Sequence, residues 1–162
     1  MQKKPWGFDP AADRANVIAS PTMIFAGVLV LGFGLDMIWP AAFLPEGWGL
    51  PLGLVVIFAA VNIKLFAVRE MIRVKTNLNI RKPANDIATS GLYSVSRNPL
   101  YIGMILLNIG IGCIVNSLWI LLLSAGLAAT LQKGGIEPEE AYLERKFGDK
   151  YLRYKTRVRR WI

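Results

Sequence analysis

Residues 100–131 read LYIGMILLNIGIGCIVNSLWILLLSAGLAATL, an apolar stretch of 32 residues that is broken at Asn116–Ser117. As one straight helix this stretch would be ~48 Å long, whereas the hydrocarbon core of a bilayer is ~30 Å thick. Division at the break gives two shorter helices, each of which needs some flanking residues to cross. The stretch therefore predicts a helical hairpin in a membrane.

Two further apolar stretches precede this hairpin, at about 23–39 and 50–66. Each approaches the ~20 residues that a spanning helix needs. The sequence thus predicts an all-α integral membrane protein, with residues 1–162 forming a single membrane domain. The four predicted transmembrane helices cover about residues 21–39, 50–68, 99–115 and 117–132.

The positive charges decide between three and four spans. Nine of the 19 Lys and Arg residues lie beyond Leu131, and four spans put them on the same side as the other cations, or within snorkelling reach of that side. The loop 39–49 and the turn at Asn116–Ser117, on the other side, contain none. The positive-inside rule therefore predicts that both termini are cytoplasmic, as an N-terminal segment over residues 1–20 and a C-terminal cap of amphipathic cytoplasmic or interfacial helices over residues 133–162.

The composition excludes several classes of function. Apolar residues make up 54% of the chain and charged residues 19%, which is too much apolar side chain for one small soluble core. The chain has no histidine, which excludes His-ligated metals and every Ser-His or Cys-His nucleophile, and no metal site is expected. Its single cysteine, Cys113, excludes a disulfide framework.

The one-sided cations account for the net charge of +8, so we expect membrane lipids as partners and no nucleic acid. The sequence does not indicate an oligomeric state.

Three polar residues stand in or near the apolar stretches, and ionisable or amide side chains at such positions are functional candidates by default. We expect Asp36 to be solvated at the external interface. We expect Asn62 and Asn108 to form hydrogen bonds between helices.

A polar segment leads into the third span, where residues 89–103 read TSGLYSVSRNPLYIG. Asn98 fits an N-cap, and Pro99 fits the first helical position, where its missing N–H costs nothing. Such a helix end presents free N–H groups and a positive dipole end beside Arg97, which favours a carboxylate or another anion. The alternative is that Arg97 reaches lipid headgroups and that Asn98 only caps the helix.

A second polar segment follows the hairpin, where residues 136–148 read IEPEEAYLERKFG. Four glutamates in eight residues are unusual at an anionic lipid surface, because such a surface repels them unless a cation meets them. A basic amphipathic segment over residues 149–162 comes next, and we expect it to lie on anionic lipid. One of its faces carries Tyr151, Tyr154, Val158 and Trp161, and another carries Lys150, Arg153, Arg157 and Arg160.

The two segments share a pattern, GxY…RNPxYxG followed after the hairpin by EExxL…FGxxYxxYxxxVxRW. It resembles that of the membrane-integral methyltransferases of the isoprenylcysteine carboxyl methyltransferase and phospholipid methyltransferase type, over about residues 89–162. The first two spans carry no motif. The matching positions are Gly91, Tyr93, Arg97, Asn98, Pro99, Tyr101, Gly103, Glu139, Glu140, Leu143, Phe147, Gly148, Tyr151, Tyr154, Val158, Arg160 and Trp161. The resemblance implies S-adenosyl-L-methionine as the cofactor, bound at the cytoplasmic membrane face without a Rossmann domain.

The resemblance also suggests which side chains hold this cofactor. Its carboxylate suits the arginine and the helix end, its amino group and ribose hydroxyls suit one or other glutamate, and its sulfonium suits a tyrosine. The cofactor-binding candidates are Tyr93, Arg97, Asn98, Tyr101, Glu139 and Glu140.

This chain departs from the resembling family at two places. Many members have RHP where this chain has Arg97-Asn98-Pro99, and an asparagine cannot titrate as a histidine does. Where relatives place an arginine near the acceptor, this chain offers only Lys133, followed by two glycines. Tyr101 and Lys133 are the catalytic candidates.

Three functions remain open at this point. The first is a methyltransferase acting on a lipidic or small thiol, carboxyl or amine acceptor, whose identity the sequence does not reveal. The second is an NADPH-dependent membrane reductase of the sterol reductase type, for which Lys75, Arg81 and Lys82 would be the phosphate partners. The third is a non-catalytic membrane module on the same scaffold, which the missing histidine would favour.

Overall fold

A computed structural model describes residues 20–77 and 83–162, and within them the chain is helical and contains no strand. The α-helices of these residues are α1 (Pro21–Ile38), α2 (Gly49–Arg73), α3 (Pro99–Ile114), α4 (Leu118–Leu131), α5 (Glu137–Phe147) and α6 (Asp149–Arg157). A short 3-10 helix, Gly91–Ser94, precedes α3, and a π-helical turn, Gln132–Ile136, joins α4 to α5. Of the predicted N-terminal segment all but Ser20 lies outside the described residues, as do Arg81 and Lys82.

Three helices in the described part are long and apolar enough to cross a membrane: α1, α2 and the continuous helix Leu118–Phe147. In the last of these the uninterrupted apolar run is α4, and charged residues occur from Lys133 onward. Helix α3 is apolar but shorter. The break between α3 and α4 lies where the sequence predicts it, because α3 ends at Ile114 and α4 begins at Leu118.

Asn116 shapes the turn of this hairpin. Its φ of 52° lies in the left-handed region, which asparagine adopts more readily than most residues. Its side-chain oxygen accepts hydrogen bonds from the backbone N–H groups of Phe43 (3.0 Å) and Leu44 (2.8 Å). Ser117 donates a hydrogen bond to Asp36 (2.8 Å), a protein partner that the expectation of a solvated Asp36 did not include. The hairpin turn is thereby tied to the loop between α1 and α2.

Glycines bring α2 and α3 into close contact. A Cβ atom on Gly53 would lie 2.6 Å from the carbonyl oxygen of Gly110, so any side chain there would force the helices apart. Gly103 lies directly against the side chain of Lys64, and no room for a Cβ atom remains between them. This packing holds Lys64 beside the first turns of α3.

The two amides in the apolar helices behave differently. Asn108 is fully buried and donates to Ser124 Oγ (2.9 Å) and to the carbonyl oxygen of Ile120 (3.2 Å) on α4. This confirms the predicted interhelical hydrogen bond. The prediction for Asn62 is wrong, because its amide donates to the carbonyl oxygen of Phe58 in its own helix (2.7 Å), one turn earlier.

Candidate functional site

A cavity of about 440 Å³ opens at the end of the bundle where α3 begins. Residues of α1, α2, the 3-10 helix, α3, α5 and α6 line it, together with the segment that precedes the 3-10 helix. The wall combines apolar side chains such as Leu100 and Met104 with charged and phenolic groups. All six predicted cofactor-binding residues line this cavity: Tyr93, Arg97, Asn98, Tyr101, Glu139 and Glu140. All of them except Asn98 have a charged or phenolic side chain.

A buried ion cluster occupies one wall of the cavity. Glu140 lies between two guanidinium groups, with Arg97 Nη2 3.2 Å from its Oε1 atom and Arg160 Nη2 2.9 Å from its Oε2 atom. The side chains of Arg97 and Glu140 are only 8% and 6% exposed. Burial of a carboxylate is costly unless cations and hydrogen bonds meet it, and two arginines meet this one.

Arg97 keeps unused donors within this cluster. Its Nη2 atom pairs with Glu140, but its Nε and Nη1 atoms are buried and have no hydrogen-bond partner among the described residues. A guanidinium group presents its donors in a planar fork that matches a carboxylate or phosphate. Arg97 is therefore a buried cation equipped to receive a further anion in the cavity.

The C-terminal segment after α6 holds the start of α3 in place. The backbone N–H of Arg97 donates to the carbonyl oxygen of Arg159 (3.0 Å). Ser96 Oγ and Asn98 Nδ2 both donate to the carbonyl oxygen of Arg160, at 3.3 and 3.0 Å. These bonds place the guanidinium group of Arg160 beside Glu140.

Asn98 occupies the predicted N-cap position, and Pro99 follows it as the first residue of α3. No side-chain cap hydrogen bond forms at the start of this helix. The amide group of Asn98 is engaged with the Arg160 carbonyl oxygen instead. The residue lines the cavity and also joins two segments of its wall.

Glu139 and Tyr101 form the second polar pair of the cavity. Tyr101 Oη donates to Glu139 Oε2 at 3.0 Å. Gly135, in the π-helical turn, leaves room for this hydroxyl group, since a Cβ atom there would lie 3.1 Å from Tyr101 Oη. Single π-helical turns inside longer helices are frequent at functional sites.

Glu139 lies beyond the apolar part of its helix, which ends at Leu131, and its environment favours the neutral acid. Burial is the main cause that raises the pKa of Glu139 to about 7; the hydrogen bond from Tyr101 opposes this shift, and the negative charge of Glu140 adds to it. In Tyr93, on the 3-10 helix, burial and the charge of Glu139 raise the pKa of the phenol well above its usual range. The phenol of Tyr93 therefore remains protonated at neutral pH.

Helix α6 packs against protein, contrary to our expectation that its apolar face would lie on lipid. Tyr151 and Tyr154 are 2% and 3% exposed and form a cluster with Ile87. Tyr154 Oη donates to the carbonyl oxygen of Tyr93 (2.7 Å). The segment before the 3-10 helix covers the aromatic face of α6. The tyrosines that suggested a helix on the membrane surface therefore close the cavity instead.

Of the two lysines Lys64 and Lys133, one lines the cavity and the other does not. Lys133, the predicted catalytic lysine, is exposed on the π-helical turn and does not line the cavity. Lys64 does line it, although the sequence analysis assigned it no role. A lone lysine near the end of an apolar helix is a detectable signal, but the same pattern describes a residue that only reaches the lipid headgroups.

Arg160 was missed for a different reason. It belongs to the matched pattern, but it lies 20 residues beyond Glu140 in the chain, and nothing in the sequence indicates that the two meet. Its pairing with Glu140 depends on the reversal of the chain between α5 and α6. Gly148 makes this reversal, with φ of 49°.

Comparison with known proteins identifies the family. The family model of phospholipid methyltransferases matches residues 48–150, which is more than half of the chain and extends from the start of α2 into α6. A protein of Haemophilus influenzae, described as an uncharacterized protein, is 67% identical over 27 residues. That match covers 17% of this chain and 43% of the relative, so it spans less than half of the relative's length. The chain belongs to the phospholipid methyltransferase family.

Proposed function

We propose that this protein is a membrane-embedded methyltransferase that uses S-adenosyl-L-methionine and methylates a lipidic or small acceptor at the cytoplasmic membrane face. Membership of the methyltransferase family supports the reaction class. The single observation that supports the choice of cofactor concerns Arg97. This residue lines the cavity, and its buried Nε and Nη1 groups have no partner among the described residues. A buried arginine with free donors fits the carboxylate of an amino-acid-derived cofactor.

The other cavity residues fit the rest of such a cofactor. The positive end of the α3 dipole, at Asn98, adds to the attraction of Arg97 for a carboxylate. A carboxylate of Glu139 or Glu140 suits the amino group and ribose hydroxyls, and the phenols of Tyr93 and Tyr101 suit a sulfonium cation. The cofactor supplies a methyl group made electrophilic by a positively charged sulfur. The chain's own residues have to bind it, orient it and keep water from the reacting atoms.

We further propose four transmembrane helices with both termini in the cytoplasm, α3 and α4 crossing as a short hairpin. This topology places the cations beyond Leu131 on the cytoplasmic side, in agreement with the positive-inside rule. The cavity lies at the end of α3 that this topology assigns to the cytoplasmic face. The apolar side chains of Leu100 and Met104 in its wall suit an acceptor that enters from the lipid.

The family match does not favour the reductase alternative. Of the three cations considered as its phosphate partners, Lys75 does not line the cavity and the other two lie outside the described residues. The first experiment is therefore calorimetric titration of the detergent-purified protein with S-adenosylhomocysteine and, separately, with NADPH. We expect saturable binding of S-adenosylhomocysteine alone. Binding of NADPH alone, or of neither by a folded sample, would contradict the proposed function.

A further inference from the structure

The two adjacent glutamates of the cavity are held in opposite ways. Glu140 contacts Arg97 and Arg160, so its charge is compensated on both sides. Glu139 forms no ion pair among the described residues, and its hydrogen-bond partner is the neutral hydroxyl of Tyr101. One carboxylate is thus held by two salt bridges, whereas the other lies in the same wall without a counter-ion among the described residues.

This asymmetry bears on where a proton goes during methyl transfer to an N–H or S–H acceptor. The chain has no histidine, so the usual proton acceptor of enzymes is absent. Both carboxylate oxygens of Glu140 are engaged in salt bridges, with Arg97 and Arg160. Asp86, the third carboxylate of the cavity, is bound to Lys150. Glu139 is the remaining carboxylate in the wall.

Resting on the proposed function, we propose that Glu139 accepts the proton that the acceptor loses during methyl transfer, while Glu140 anchors the cofactor site. The acceptor's lone pair forms the new bond to the methyl carbon. The electron pair of the broken carbon–sulfur bond stays on sulfur, and the N–H or S–H proton passes to a carboxylate oxygen of Glu139. Tyr101 is a positioning residue, because its hydroxyl fixes Glu139 Oε2.

The surroundings of Glu139 suit this role. It is faced by the phenols of Tyr101 on α3, Tyr93 on the 3-10 helix and Tyr151 on α6, and by the carboxylate of Glu140 on its own helix. Burial raises its pKa to about 7, and a general base works best when its pKa lies near the working pH. An acceptor that is already ionised, such as a carboxylate, needs no such base.

The test measures protons released when S-adenosylmethionine binds, by calorimetry at about pH 7 in buffers of different ionisation enthalpy. The sulfonium cation favours the ionised form of Glu139, so we expect the wild-type protein to release protons on binding. Glu139→Gln keeps a hydrogen-bond acceptor for Tyr101, and we expect it to lose this release. By linkage it binds S-adenosylmethionine several-fold more weakly, whereas S-adenosylhomocysteine, which has no sulfonium charge, binds with unchanged affinity. Glu46→Gln, an exposed glutamate at the other end of the bundle, is the matched control and keeps it.

The rate of methyl transfer gives a second measurement. The acceptor probes are vesicles that contain an amine-headgroup phospholipid, and a small aliphatic thiol. We expect Glu139→Gln to lower kcat about 10²- to 10⁴-fold, a far larger change than the change in its KM for the cofactor. If neither probe is methylated by the wild-type protein, proton release alone decides.

The outcomes separate the two proposals. Unchanged proton release in Glu139→Gln overturns the proton role and leaves the proposed function intact. Lost affinity of Glu139→Gln for S-adenosylhomocysteine makes Glu139 a cofactor-binding residue and also overturns the proton role. Failure of the wild-type protein to bind S-adenosylmethionine or S-adenosylhomocysteine overturns both.

Discussion

Arg160 donates hydrogen bonds to both carboxylate oxygens of Glu140, from Nε to Oε1 at 3.2 Å and from Nη2 to Oε2 at 2.9 Å. This bidentate pair joins the segment after α6 to the first turn of α5. Arg97, from the start of α3, approaches the same carboxylate from another side. Three separated parts of the chain therefore converge on one buried charge, and the cavity wall depends on that charge.

Glu140→Ala is expected to destabilise the protein. It leaves the buried guanidinium group of Arg97 without its counter-ion, and breaking a buried pair in this way costs about 3–5 kcal/mol. The measurement is thermal unfolding of the variant in detergent, beside Glu46→Ala as an exposed control. Equal melting temperatures for the two variants would show that the ion cluster does not hold the wall together.

Arg97→Ala is expected to weaken binding of S-adenosylhomocysteine about 10- to 100-fold, because hydrogen bonds to charged groups contribute about 1.5–3 kcal/mol. Arg145→Ala removes the same charge from an exposed position on α5 and is expected to bind normally. Calorimetric titration of both variants compares them. If Arg97→Ala binds as tightly as Arg145→Ala, the carboxylate site is not at Arg97.

The helices of this fold could be predicted from the sequence because their signals are local. The length of the stretch over residues 100–131 exceeds one span, and Asn116 supplies a residue that tolerates the left-handed turn. The environment of α6 could not be predicted in the same way. A basic helix with an aromatic face has the same pattern whether lipid or protein covers that face, and here Ile87 covers it.

The candidate site divides along the same line. The pattern around Arg97 and Glu140 predicted the cofactor-binding residues, and in the structure these residues line one cavity. Lys133 is predicted as a catalytic residue from its position in the chain, but the π-helical turn leaves it exposed. Lys64 reaches the cavity wall, and Arg160 reaches Glu140, through packing between distant segments, which one sequence does not reveal.

The proposed topology predicts the accessibility of single introduced cysteines. The native Cys113 is buried, so Ala42→Cys in the loop between α1 and α2 and Arg145→Cys on α5 provide the exposed thiols. We expect a membrane-impermeant maleimide to label Ala42→Cys in intact cells, and Arg145→Cys only after permeabilisation. Labelling of Arg145→Cys in intact cells would contradict the four-span model.

Gly135→Ala is expected to disturb the Tyr101–Glu139 pair. The added Cβ atom would lie 3.1 Å from Tyr101 Oη, closer than ordinary contact, so the hydroxyl has to move. Gly126→Ala on α4 is the matched control, because a Cβ atom there meets nothing within 4 Å. We expect a lower rate of methyl transfer in the first variant and an unchanged rate in the second. Equal rates would show that the geometry of Tyr101 is unimportant.

The stability of the protein is expected to fall as the pH rises through the titration of Glu139. The pKa of this carboxyl group is about 7 in the folded protein, against an ordinary value of 4.5. The folded state therefore binds the proton more tightly than the unfolded state does. Its stabilising effect is fully present below the unfolded pKa and is lost as the pH rises through the folded pKa.

Glu139→Gln removes this titration and keeps a neutral side chain of similar shape. Melting temperatures of the wild type and the variant, measured in detergent from about pH 5 to about pH 8, are expected to diverge as the pH rises, with the variant the more stable at the upper end. Glu46→Gln is expected to follow the wild type throughout. A constant difference between Glu139→Gln and the wild type would mean that Glu139 is ionised in the folded protein across this range, held by a cation rather than by the hydroxyl of Tyr101.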